Sequence, residues 1–133
     1  MENNILLMNG KKFHFSITPG NFRRLFPEFH GSFGGESQRF WLEDCKLDGK
    51  SFSASVRFWR GQLRDIHFKP QRSEQQADDW YRKVCDEWLY SWLGPPDEQN
   101  KDTTYYKRPW GYAAAEYESA NGPECFVVIG FKR

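Results

Sequence analysis

Three histidines, His14, His30 and His67, are the side chains whose ordinary pKa suits proton transfer near neutral pH. None has the company that catalysis needs. No Ser or Cys stands in a nucleophile-elbow or triad context, and neither H-x-x-x-H, H-E-x-x-H nor clustered cysteines offer metal-ligand spacing. The carboxylate pairs Glu43/Asp44, Asp78/Asp79 and Asp86/Glu87 are sequence neighbours. Neighbours point to opposite sides of a strand, or about 100° apart on a helix, so they do not face each other across a substrate. Gly31, Gly34 and Gly35 surround Phe33 without the Lys-Ser/Thr pair of a phosphate loop, and the segment His30 to Glu36 reads as a flexible connection. The sequence thus points to a protein that is not an enzyme, with no cofactor and no metal.

A different constellation is more informative. Arg57 and Trp59 fall on the polar phase of one strand, and Asp65, His67 and Lys69 on the polar phase of the next. A Trp among Arg, His and Lys on a serine-bearing surface can stack on a base, a sugar or a partner's ring. These five residues are the candidate partner-binding set. The competing reading is a sheet whose second face is covered by the N-terminal hairpin or a loop. Tyr105, Tyr106, Trp110 and Tyr112 admit the same two readings and lack the glycine-aromatic pattern of an RNA-recognition motif.

The elements that must position these residues follow from periodicity. Asn9-Gly10 and Asp48-Gly49 are hairpin signals, because a type I′ turn needs positive φ at both central residues. Phe13, Phe15 and Ile17 alternate with polar residues, as do Phe52, Ala54, Val56 and Phe58, and Ile66 with Phe68. Strands are expected at 11–17, 38–47, 50–59 and 63–69, with Arg60-Gly61-Gln62 turning the chain. Thr18-Pro19 opens a short helix with Phe22, Leu25 and Phe26 on its apolar face. A long amphipathic helix is expected from the capping box Ser73/Gln76 to the stop at Gly94-Pro95-Pro96. Its stripe runs through Trp80, Tyr81, Val84, Cys85, Trp88, Leu89, Trp92 and Leu93. A polar loop at 95–102, a strand at 103–117 broken near Pro109, a turn at Asn121-Gly122-Pro123 and a strand at 125–132 complete the chain. The expected class is α+β, an antiparallel sheet of five to seven strands packed on one long amphipathic helix plus a short one.

Composition sets the outer limits. At 133 residues the chain suits one domain, 1–133, without staples. Net charge +1, from 19 basic and 18 acidic residues, gives no general field for nucleic acid and no acidic DNA-mimic surface. Aromatics make up 18%, which implies an aromatic core and possible hot-spot residues at a surface. Cys45, Cys85 and Cys125 form no C-x-x-C pair and are odd in number, so buried free thiols in a reducing compartment are expected. The N-terminal segment lacks a basic, apolar signal and no apolar run reaches spanning length; cytosol, without membrane attachment, is the expectation.

Trp-Leu-Tyr-Ser-Trp-Leu-Gly-Pro-Pro (88–96), then Tyr-Lys-Arg-Pro-Trp-Gly-Tyr (106–112), then Phe-Val-Val-Ile-Gly-Phe (126–131), with the loops between them, resembles small bacterial immunity-type proteins. These are encoded as partners of polymorphic or contact-dependent toxins. The resemblance covers residues 80–133, with fainter echoes at 13–26 and 52–68. It implies a non-enzymatic protein that neutralises a cognate toxin by direct protein–protein binding. Such proteins meet their toxins through surfaces peculiar to each pair, so the resemblance assigns no residue. The alternative function is a small-ligand or nucleic-acid binding domain using Arg57, Trp59 and His67, with nucleic acid disfavoured by the charge balance.

Overall fold

Three tight turns share one backbone geometry. Asn9-Gly10, Asp48-Gly49 and Arg60-Gly61 take φ values of 52° and 77°, 51° and 79°, and 50° and 79°. Positive φ at both central residues matches the twist of paired strands, so each turn folds its flanking segments into a hairpin. A computed structural model describes residues 4–71, 80–118 and 124–131. In chain order the elements are β1 (Ile5–Met8), β2 (Lys11–His14), α1 (Pro19–Leu25), β3 (His30–Gly34), β4 (Ser37–Leu47), β5 (Lys50–Trp59) and β6 (Gln62–Pro70). Then come α2 (Trp80–Leu93), β7 (Glu98–Gln99), β8 (Thr103–Arg108), β9 (Gly111–Glu118) and β10 (Glu124–Phe131).

All the strands join one antiparallel sheet in the order β2-β1-β4-β5-β6-β10-β9-β8-β7, with β3 also paired to β4. The sheet curls. Phe15, just beyond β2 at one end of that order, has its ring 4.7 Å from Phe131 and 5.0 Å from Trp110, which belong to the other half. Both helices pack inside the curl. Phe22 of α1 is fully buried among the rings of Phe13, Phe26, Phe29, Phe40 and Phe58, at 4.8–5.9 Å. On α2, Tyr81, Cys85, Trp88, Leu89 and Leu93 point inward, and Trp88 lies 5.7 Å from Phe68 and 6.1 Å from Phe52. The even-numbered face of β5 therefore receives the helix, as its phase implies.

Local signals explain the start of α1 and the end of α2. Thr18 Oγ1 accepts the Asn21 N–H at 3.3 Å, with Pro19 at the first helical position. Gly94, at φ 80°, ends α2, and its own carbonyl accepts the Tyr106 hydroxyl at 2.8 Å while the Leu93 carbonyl accepts Arg108 Nη2 at 3.1 Å. The tyrosine and arginine of β8 thus satisfy carbonyls that a helix C-terminus leaves open.

Several expectations need correction. The sheet has ten strands among the described residues, not five to seven, and it dominates an α+β-like architecture. α2 is described over the 14 residues Trp80–Leu93; the Ser73/Gln76 capping box from which the longer helix is expected lies outside the described residues, as does the Asn121-Gly122-Pro123 turn. The glycine-rich segment read as a loose connection is β3, because alternation there is hidden by Gly31 and Gly34 while β4 still supplies the backbone partners. Residues 103–117 form two strands around a turn at Pro109-Trp110, and Glu98–Gln99 of the expected polar loop adds an edge. Leu25 is 45% exposed rather than buried with Phe22 and Phe26. Trp88 is buried, but Trp80 and Trp92 are half-buried, because they flank the stripe rather than centre it.

All three cysteines are free and buried, as expected. Burial first, then the charges of Glu28 and Asp44, push the Cys45 thiol up to about 12. A hydrogen bond with Cys125 and burial push Cys85 up as well. Thiols held protonated in the core are unreactive. Titration with a chromogenic disulfide reagent should find no fast-reacting thiol in the native protein and all three in denaturant. Rapid labelling of the native state would contradict this packing.

Candidate functional site

Strand alternation leaves one side of the central sheet without a helix. On β5, Phe52, Ala54, Val56 and Phe58 are buried, while Ser51, Ser53, Ser55, Arg57 and Trp59 are half-buried on the opposite side. On β4, Phe40, Cys45 and Leu47 point inward, and Arg39, Trp41 and Glu43 are exposed. Both helices lie on the inner side, and among the described residues none covers the outer one. The covered-sheet reading is the one this arrangement disfavours.

A β-bulge sets the phase of β6. The pairing with β5 slips between Arg57 and Phe58, so Arg57 opposes Asp65 and Phe58 opposes Leu63, leaving Arg64 as the extra residue. The bulge lets Leu63 and Ile66, three residues apart, both point into the core. Asp65 is not the exposed contact residue its phase suggests: it is only 8% exposed. Its carboxylate accepts two hydrogen bonds from Arg57, Nε at 2.8 Å and Nη2 at 2.5 Å. That fork-to-fork geometry fixes Arg57 on the face and holds its guanidinium above even its high ordinary pKa. Trp59 lies at the turn end of the same face, with the guanidinium carbons of Arg60 and Arg64 5.6 and 5.9 Å from its ring centre.

Away from the turn the face deepens into a trough. Its floor is Ser53 and Ser55 of β5. One bank is Arg39, Trp41 and Glu43 of β4; the other is His67 and Lys69 of β6 with Phe126 of β10 beyond them. The cavity holds about 520 Å³. Register produces it: Trp41 pairs with Ser55, and Ser55 and Ser53 pair with His67 and Lys69, so two small residues run between rows of large ones. Arg39 donates Nε–H to Ser55 Oγ at 3.2 Å, and its guanidinium sits 6.0 Å from the Trp41 ring. The His67 ring stacks on Phe126 at 6.5 Å, within 19° of parallel.

His67 is held below its ordinary pKa. Desolvation is the largest cause; Arg57 and Arg39 act in the same sense, and Asp65, 3.6 Å from Nε2, and Glu116 oppose it. A base whose pKa falls on folding binds protons more readily in the unfolded chain. Its share of stability is therefore complete above the unfolded pKa of 6.5 and declines as pH drops below it. The melting temperature of the wild type should fall more between pH 7.5 and 5.5 than that of His67→Gln, a range chosen to bracket the ordinary histidine pKa of about 6.5. Equal pH dependence of the two proteins would refute this assignment.

The structure thus brings Arg57, Trp59, Asp65, His67 and Lys69 onto neighbouring strands, with Asp65 as a buried brace and Lys69 exposed. It adds Arg39, Trp41 and Phe126, which sequence reasoning passed over. Phase was the missed signal, since Trp41 stands to Phe40 as Trp59 does to Phe58. Of the remaining aromatics, Tyr106 is core, Trp110 packs on Phe15 and Trp92, and Tyr112 lies on Gly130 with its ring stacked on Tyr105 at 6.0 Å. His14 and His30 are exposed; His14 lies on β2, whereas His30 on β3 pairs with Trp41 and sets its ring 5.8 Å from that of the trough's tryptophan. Among the described residues no group of three or more His, Cys, Asp or Glu side chains is placed to hold a metal ion, and no helix is long and apolar enough to cross a membrane. Searches against protein-family models, curated proteins and solved structures find no match to this chain.

Proposed function

We propose that this chain is a non-enzymatic binding protein that engages a protein partner through the outer face of β4, β5, β6 and β10. The observation that carries the reading is the uncovered face itself, where Trp41, Trp59, Arg39 and Arg57 stand on a rigid antiparallel backing. Trp and Arg are the residues over-represented at binding hot spots, and pre-ordered strands reduce the entropy lost on association. The specific form is an immunity-type protein of the cytoplasm that neutralises a cognate toxin by covering a surface the toxin needs. Its support is the segment resemblance together with this open face. A small-ligand or nucleic-acid role draws on the volume of the trough and the stacked His67 and Phe126 rings.

Trp59→Ala tests the assignment. The side chain is half-buried on the outer face, so the variant should keep a melting midpoint near that of the wild type while losing about 2 kcal/mol or more of partner affinity. The partner would be isolated as a stoichiometric complex from the source cells and its affinity measured by calorimetry. A loss of several kcal/mol in stability with unchanged affinity would move Trp59 into the core and the binding surface elsewhere.

A further inference from the structure

We propose that the trough along β5 receives an extended, carboxylate-bearing segment of the partner protein, with an apolar side chain lodged against Trp41 and Phe126. This deepens the face assignment above and rests on it.

Shape is the first argument. Adjacent strands are about 4.8 Å apart, so the banks on β4 and β6 stand about 10 Å from each other, backbone to backbone. Side chains on both banks narrow that space further. An α-helix with its side chains is about 10–12 Å across and will not settle between them, whereas one extended chain or a single row of side chains will. The serine floor continues the demand: Ser53 and Ser55 leave depth where larger residues would fill it, and their hydroxyls can meet a polar backbone.

Charge is the second. Arg39 and Lys69 stand on opposite banks and are both exposed, and among the described residues Glu43 is the single carboxylate in the lining. Arg57 and Asp65 next to the trough neutralise each other. The described lining residues therefore carry a net positive charge before any contribution from His67. Arg39 gives Nε–H to Ser55, and among the described residues its two terminal nitrogens meet no acceptor. A guanidinium steadied at Nε with its fork open matches a carboxylate.

The same lining argues for a peptide over a nucleic acid strand. A phosphate backbone is followed by a series of cations, whereas this trough interleaves Arg39 and Lys69 with Glu43, in a chain of net charge +1. Trp41 is 37% exposed, which supplies the apolar contact beside the charged one.

The test is amide-shift mapping of the ¹⁵N-labelled protein with three probes: a capped peptide of alternating Glu and Phe, its Lys-for-Glu counterpart, and a short oligouridylate. The acidic peptide should shift amides at Arg39–Glu43, Ser53–Ser55 and His67–Lys69, and it should bind more tightly than the other two probes. Its affinity should fall about tenfold or more in Arg39→Glu, which alters an exposed side chain, and in Ser55→Trp, which fills the floor. Unchanged far-UV circular dichroism confirms folding, and Arg39→Glu alone carries the comparison if Ser55→Trp does not fold. Tighter binding of the lysine peptide or the oligouridylate at these amides overturns the acidic-segment inference and leaves the face assignment standing. Shifts confined to other surfaces, or absent with every probe, overturn both. Unaltered affinity in Arg39→Glu overturns the charge argument and the proposal with it.

Discussion

Trp88→Ala should lower unfolding stability by about 3–5 kcal/mol, the range for removing a buried aromatic side chain. Trp88 is 4% exposed and sits where α2 meets the sheet, with Phe52, Phe68 and Trp92 rings 5.5–6.1 Å away. Those neighbours belong to β5, β6 and α2 itself, so collapse into the vacated space would require strands and helix to move together. Unrelieved cavity volume is what makes such substitutions severe. Tyr90, two residues on, is 58% exposed, and Tyr90→Ala should change stability by less than about 0.5 kcal/mol. Urea melts followed by far-UV circular dichroism compare the two without depending on tryptophan fluorescence. Similar small losses for both would mean that α2 does not seat its stripe on this sheet.

Gly111→Ala should be comparably damaging by a different route. Gly111 begins β9 at φ 149°, and a Cβ placed there would lie 2.0 Å from the Gly130 carbonyl oxygen across the ladder. Nothing flexible can yield, because the obstacle is the backbone of β10. Backbone strain and overpacking each cost about 1–3 kcal/mol, and both act at this position. Gly61 is the control: it needs positive φ, at 79°, but a Cβ there meets nothing within 4 Å. Gly61→Ala should thus be clearly milder in the same melts. Equal losses would show that φ alone, rather than the close approach of β9 to β10, sets the cost.

Features built from neighbouring residues were legible in the sequence. The turns at Asn9-Gly10 and Asp48-Gly49, the Thr18 cap, the Gly94 stop and the alternation of β5 all follow from local chemistry, and the structure repeats them. What escaped depends on partners distant in the chain. β3 has glycines where alternation would show, and only its pairing with β4 makes it a strand. The bulge at Arg64 is set by the core's claim on both Leu63 and Ile66, and it converts Asp65 from an expected surface contact into the anchor of Arg57. The trough was half visible: Arg57, Trp59, His67 and Lys69 stand out by phase, while Arg39 and Trp41 become their companions only once β4 is known to flank β5. Phe126 enters because β10 pairs with β6, a contact across more than fifty residues of chain.

That last pairing has a consequence for how the chain comes off the ribosome. β10 is the last of these ten strands in chain order, yet it stands between β6 and β9, so it is the piece that joins β1–β6 to β7–β9. Until residues 124–131 have emerged, the nascent chain carries two part-sheets, each with a bare inner edge at β6 or β9. Unpaired edges recruit other strands, and long-range pairing is slow to form. The window for misassembly therefore stays open until the last strand is in place, and a ribosome stalled before residue 124 would display a chain primed for edge-to-edge aggregation rather than a partly finished version of this fold.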